Sequence, residues 1–290
     1  MNRPKNISDV LFRQSLLFAS ILILLICGGM IYALVGGAWQ CISKIGFFSF
    51  LTTSAWNPTP GSEHYGALSF IVGTLLTSLL ALGFCLPFSL SIALFTGEYF
   101  KGKKIAGFIS SVIDMLASIP SIVYGLWGFY TLRPLMSSLG LSEQGFGILT
   151  ASMVLAVMII PYAASLSGEF LSMVPNDLKE GAYSLGATRF DVLRKVSFRV
   201  SSSGIFASYI LALGRALGET MAVTMLIGNT NDMPTSLTAT GNTMASIIAN
   251  QFGEADGLKL SSLIALGLML FIITAVINLL GKFIMKRFTV

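Results

Sequence analysis

The sequence predicts an all-α membrane protein of six transmembrane helices with both termini in the cytoplasm. Three observations predict it. Of the 290 residues, 54% are hydrophobic and 11% charged, and the mean hydropathy is +0.80, values outside those of soluble domains. Six apolar stretches reach the roughly 20 residues that a helix needs to cross a bilayer: Leu16 to Val35, Leu68 to Thr96, Ile105 to Leu132, Phe146 to Leu166, Gly204 to Ile227 and Leu260 to Ile284. The segments between them alternate between rich and poor in lysine and arginine, as cytoplasmic and outer loops do.

The first span follows Arg3, Lys5 and Arg13. Its apolar run is too long for a signal peptide and no small-residue cleavage site is evident, so it reads as a retained helix. With the N-terminus inside, the cytoplasmic segments hold fourteen basic residues: Arg3, Lys5, Arg13, Lys101, Lys103, Lys104, Lys179, Arg189, Arg194, Lys195, Arg199, Lys282, Lys286 and Arg287. The outer segments hold three, Lys44, Arg133 and Lys259, and Arg215 lies inside a span. That split accounts for the net charge of +5 without a nucleic-acid partner. The outer segment Val35 to Ala67 carries Trp39 and Trp56, suited to an interfacial belt. Pro87 interrupts the second span, and Pro120, Gly125 and Gly128 the third. Such breaks persist in a membrane where neighbours or water satisfy the freed backbone groups, although packing alone also produces kinks. In the last outer loop, Asn229 to Gly257, the stretch Thr243 to Phe252 reads as a short amphipathic helix on the outer face. The chain divides into an N-terminal span with its outer loop, residues 1–67, and a five-span core, 68–290, that contains a cytoplasmic loop at 175–199.

Two features stand out within the core. The loop Pro175 to Val196 parses as two short helices, because Asp177 with Glu180, and Thr188 with Asp191, both have capping-box spacing, and Gly186 sits where the first helix stops. The span after it carries Arg215 and Glu219 one turn apart, with Gly214 and Gly218 forming a GxxxG face. Arg215 lies eleven residues beyond Gly204, about 16 Å into a hydrocarbon core about 30 Å thick. A charge there costs about 2.5 to 3.5 kcal/mol on insertion scales, so it is expected to face a partner or water. Glu219 is the nearest partner, and Asp114 in the third span is a third intramembrane charge. A bundle-ordering ion pair and a role in a solute path both fit these residues.

Several chemistries are excluded. Gly97, Gly102 and Lys103 open a G-x-x-x-x-G-K phosphate loop, but Lys104 stands where a magnesium-binding Ser or Thr is required, and an apolar helix precedes it rather than a strand. Cys27, Cys41 and Cys85 have no metal or disulfide spacing, and His64 is the only histidine. Neither a catalytic constellation nor a cofactor site can be assembled. The helix-turn-helix look of Leu178 to Val196 is no recognition element, since spans tether it to the membrane at both ends. An interfacial helix pair and a docking knob for a cytoplasmic protein remain.

The segment Glu180-Gly181-Ala182 with Gly186, Ala187 and the basic helix resembles the EAA loop of importer permeases of the ABC superfamily, which inserts into a groove of the ATPase. The resemblance extends over residues 68 to 290, through Thr74 to Ala81, Pro87 to Tyr99, Pro120 to Gly128 (PSIVYGLWG) and Arg215 to Val223 (RALGETMAV). The last two are similar to phosphate-specific transport permeases, and the MAV ending with Trp56-Asn57-Pro58 is more like the PstC type than the PstA type. This resemblance implies a type I ABC importer permease fold and a subunit of the inner membrane. It implies assembly with a homologous PstA-like permease, two ATP-binding subunits and an external phosphate-binding protein. It further implies docking through Glu180, Gly181, Ala182, Gly186 and Ala187, and an anion path past Arg215, Glu219 and Asp114. Sulfate or molybdate permeases, and more remotely a secondary transporter, are the rival readings; the last is disfavoured by the lack of an inverted repeat. Two departures from the loop pattern are Gly181 in place of alanine and Phe198-Arg199 in place of an apolar residue and proline. The second removes a stop signal and lets the basic helix run on toward Ser201.

Overall fold

A computed structural model describes residues 7–59, 61–142 and 144–288; Arg3 and Lys5, which contribute to the expected orientation, lie outside them. The first helix, α1 (Ile7–Ile45), has 39 residues and is about 58 Å long at 1.5 Å per residue. It therefore runs well past the predicted span and takes up part of the expected outer loop. The rest of that loop forms α2 (Phe47–Thr52) and a two-residue hairpin, β1 (Trp56–Asn57) with β2 (His64–Tyr65), in which Trp56 faces Tyr65. Trp39 is exposed on the chain's surface, whereas Trp56 is a core side chain. Its ring meets Tyr65 and Phe70 edge-on at 5.0 and 5.2 Å, and its indole N–H donates to Gln251.

Helix α3 (Leu68–Leu94) passes through Pro87, which lies on its exposed side, without a break, and ends in a wide π turn, Phe95–Tyr99. The expected third span is instead two pieces. Helix α4 (Lys104–Ala117) and helix α5 (Ser121–Trp127), which continues through a wide turn into α6 (Arg133–Ser138), meet at a bend of 92°. Pro120 sets this corner, having no N–H to give to the preceding turn. The Tyr124 hydroxyl donates to the Leu116 carbonyl at 2.8 Å, satisfying one acceptor that the bend leaves free. Helix α7 (Ile148–Ser172) is the most buried span, and Ile148, Leu155, Ile159 and Leu171 lie in the main core around it.

The loop expected on the cytoplasmic side forms α8 (Asn176–Ser184) and α9 (Arg189–Val192), and a wide turn carries α9 directly into α10 (Phe198–Leu217). One helix thus runs from Arg189 to Leu217, as the missing proline after Phe198 permits. At its other end it stops ten residues short of the predicted Ile227: Gly218 caps it, and the chain restarts as α11 (Met221–Thr224). Helix α12 (Met244–Gln251) is the short outer helix foreseen, with the Thr243 hydroxyl accepting the Ser246 N–H. It does not lie on the surface, because Met244 and Ile247 enter a second core with Phe50, Trp56, Phe70 and Leu263. Helix α13 (Gly257–Phe288) packs on α1, where Gly37 sits against Ile264. Among the described residues five helices are long and apolar enough to span a membrane, and the bent pair makes a sixth crossing if it counts as one.

Candidate functional site

At one end of the bundle α8 and α9 form a compact knob. The expected cap at Asp177 is absent: α8 starts at Asn176 behind Pro175, and Asp177 lies inside the first turn, where a negative charge is still favoured by the helix dipole. The second box is present. Thr188 accepts the Asp191 N–H and donates its hydroxyl proton to the Asp191 carboxylate at 2.6 Å. Between them the chain turns at Gly186, whose φ is +83°. The Gly186 N–H donates to Tyr183 and the Ala187 N–H to Ala182, the paired bonds of a Schellman stop that an L-residue adopts only under strain.

Two cross-links fix this knob to the end of α3. The Lys179 ammonium meets the Glu98 carboxylate at 2.6 Å with both side chains only 11–12% exposed. Arg189 donates to the Tyr99 carbonyl at 2.7 Å and lies 4.9 Å from that ring's centre. On the outward side, Leu178, Tyr183, Leu185 and Phe190 are exposed, Leu185 to 90%. Glu180, Gly181 and Gly186 are exposed beside them and Ala182 and Ala187 half-buried; nothing stands within 4 Å of a Cβ built at Gly181 or Gly186. The knob is an apolar surface on a rigid mount. Sequence reasoning missed Glu98 and Tyr99, which belong to a different loop. The G-x-x-x-x-G-K stretch is likewise structural: Gly97 packs on the Gly168 backbone and Gly102 takes a turn with φ +78°.

In the middle of the bundle the two chain breaks face each other. Helix α5 rests on α11 so closely that a Cβ at Gly125 would lie 3.0 Å from the Ala222 Cα and 2.9 Å from the Met225 sulfur. The segments PSIVYGLWG and RALGETMAV are therefore the two sides of one junction. Arg215 lies in the last turn of α10, beside it, where the helix dipole favours a cation. Arg215 and Glu219 do not share a helix face, because Gly218 ends the helix between them. The Glu219 carboxylate instead accepts the Ala222 N–H at 3.3 Å and caps α11. Arg215 is exposed and has no ion-pair partner among the described residues. Its guanidinium lies 5.8 Å from the centre of the Tyr162 ring.

Asp114 does not reach Arg215 either. It is exposed on α4, 3.5 Å from the Ser165 hydroxyl, in a cavity of about 250 Å³ that Glu169 and Ser172 also line. Tyr162, Ser165, Glu169 and Ser172 recur at helical spacing and are partly or fully exposed, while Ile159, Ala163, Ser167 and Leu171 are buried on the opposite side of α7. One polar stripe thus connects the Arg215 junction to the knob end. At the other end a cavity of about 810 Å³, lined by Asn229, Thr230, Ser236, Thr238 and Thr240, has Phe129 and Met225 of the junction in its wall. Tyr162 carried no sequence signal, since its meaning depends on which face of α7 is left open.

A bundle of apolar helices with one polar face on α7, two chain breaks packed on each other and an exposed apolar knob at one end has the architecture of a multi-pass membrane protein. The family model described as "Binding-protein-dependent transport system inner membrane component" matches residues 86–290. The chain belongs to that family. It is 40% identical to "Phosphate transport system permease protein PstC" of Mesorhizobium japonicum, covering 97% of this chain and 91% of that one. It is 35% identical to "Probable phosphate transport system permease protein PstC" of Methanocaldococcus jannaschii, over 86% and 85%. Among solved structures, a bacterial alginate ABC transporter matches with a TM-score of 0.65 at 18% identity, covering 98% of both chains. The MetNI methionine ABC transporter matches with 0.61 at 19%, covering 77% of this chain and 98% of that one. At those identities the likeness is one of fold.

Proposed function

We propose that this chain is the PstC-type permease of an ATP-driven phosphate importer and forms half of the translocation path. The observation that carries the path is the unpaired Arg215 at the junction of α5, α10 and α11. A phosphate with one to two negative charges needs a fixed cation in a poorly hydrated path, and a guanidinium offers forked donors that match its oxygens. The α7 stripe is open on one side, which suits a homologous PstA-like permease as the second wall. The names of the relatives at 35–40% identity support phosphate as the substrate.

Two ATP-binding subunits supply the energy. The knob around Gly186 docks on one of them through Leu185, Tyr183, Glu180, Gly181, Ala182 and Ala187, and the Lys179–Glu98 pair carries the motion to α3 as a rigid-body shift. An external phosphate-binding protein delivers the anion to the opposite, hydroxyl-lined mouth. The knob is then cytoplasmic, as are both termini, in an inner membrane that the chain crosses six times.

Uptake of labelled phosphate in cells lacking other phosphate importers tests the substrate. Competition by unlabelled phosphate, with none from sulfate or molybdate, is the expected result; equal competition by sulfate overturns it. Single cysteines at Lys103 and Arg194, in a background free of native cysteines, should resist an impermeant thiol reagent in intact cells, whereas those at Glu63 and Asp256 should react. Labelling at position 194 reverses the orientation.

A further inference from the structure

At the knob end of the bundle, α13 and α10 touch and then separate. They touch at Gly281, where a Cβ would lie 2.8 Å from the Ile210 side chain. Beyond it a groove of about 420 Å³ opens between α7, α10 and α13. Its apolar wall is Phe170, Val174, Val200 and Ala207, with Gly204 held against the Phe170 ring so tightly that no side chain fits there. Its rim carries Lys282 and Lys286, one turn apart on α13 and both exposed. Neither has an ion-pair partner among the described residues, and no lining residue is acidic. Arg199 stands one turn before the lining residue Ser203 on the same side of α10 and, with Arg194 and Lys195, lines an adjoining cavity of about 560 Å³.

An apolar slot among the ends of membrane-length helices, rimmed by cations without ion-pair partners among the described residues, has the chemistry to hold an anionic phospholipid: acyl chain inside, phosphate at the rim. We propose that this groove is a binding site for an anionic phospholipid, with its headgroup phosphate on Lys282 and Lys286. A soluble anion would use the lysines and leave the apolar wall wet; a partner helix would leave two lysines without counter-charge unless it brought acids. The site adjoins the coupling loop, since Val174 in its wall precedes Pro175. An occupied groove therefore wedges α13 against the root of the knob. The leaflet follows from the proposed orientation. The binding does not, because a disc with identical leaflets presents the lipid to either end.

The test uses the assembled transporter in nanodiscs of phosphatidylcholine containing phosphatidylglycerol as the minority, anionic component. Native mass spectrometry counts retained lipids. The expected result is selective retention of phosphatidylglycerol, reduced by about 30-fold in the Lys282→Gln/Lys286→Gln variant, from an affinity that falls about fivefold for each lysine removed near the surface, and unaffected by millimolar inorganic phosphate. Ala207→Trp, which fills the slot and keeps both lysines, should displace the lipid as well. Equal retention by wild type and the lysine variant overturns the proposal. So does displacement by inorganic phosphate, which makes the rim a soluble-anion site, or a crosslink from Met285→Cys to another subunit across the groove.

Discussion

The two charged regions of this molecule are built on opposite terms. At the knob, Lys179 and Glu98 are almost fully withdrawn from water and paired at 2.6 Å, and Arg189 is satisfied by the Tyr99 carbonyl and ring. At the junction, Arg215 is exposed and has no ion-pair partner among the described residues, Glu219 is occupied with a helix N-terminus, and Asp114 lies beside Ser165. A buried pair joins two elements so that they move as one, and removing one partner leaves an uncompensated charge. An unpaired cation at the end of a helix is available to a ligand. On the proposed function, the difference is that between a lever and a binding point, and sequence position alone ranks neither, since each region places charged residues near apolar runs.

The sharpest way to break this contrast is at Arg215. Arg215→Ala should reduce phosphate uptake by about 100-fold, the order of two lost charge-assisted hydrogen bonds, while co-purification with the other subunits is unchanged. The exchange Arg215→Glu with Glu219→Arg should not restore uptake, because Gly218 ends the helix between the two positions. Full uptake by the exchanged variant, measured with labelled phosphate, would move Arg215 to the class of structural pairs.

The lever should respond differently. Lys179→Met leaves Glu98 buried without a counter-charge and should cost about 3 kcal/mol, the low end for a broken buried pair, seen as a lower melting temperature of the purified complex. Adding Glu98→Leu should recover most of that loss, since an apolar pair of similar volume is commonly neutral. Failure of the double variant to recover would show that the pair does more than join α8 to α3.

Docking can be separated from strain. Gly186→Trp blocks approach of a partner, but at φ +83° any L-residue there costs about 1 to 2 kcal/mol of local strain, so its loss of function has two causes. Leu185→Asp has one: the side chain is 90% exposed. It should weaken ATPase association about tenfold, roughly the effect of withdrawing one apolar contact of 1.4 kcal/mol, with an unchanged melting temperature. Unchanged association would make the knob an interfacial helix pair. The smallest effect belongs to Thr188→Ala, which removes the α9 cap and should destabilise by about 1 kcal/mol, without altering uptake at saturating phosphate.

Much of this protein is determined by the sequence alone, wherever the signal is local. Apolar runs longer than about 20 residues specify spans, Thr188 with Asp191 specifies a cap, and Gly186 specifies a left-handed stop, because each depends only on residues within a turn or two. Pro120 marked a break for the same reason. Its 92° angle was not legible, since that depends on the Tyr124 to Leu116 bond and on the close seat of Gly125 against Ala222. Periodicity also misplaced Arg215 and Glu219 on one continuous helix. An apolar run continues through Ile227, and only the packing of α11 on α5 decides that the helix stops at Leu217. Trp56 looked interfacial because its place in the second core comes from Phe70 and Gln251, the latter 195 residues away. The partners of Lys179 and Arg189, and the openness of the Tyr162 face, were likewise decided by tertiary structure. Pairing and exposure are relations between distant segments, and a linear pattern of residues carries no distance between them.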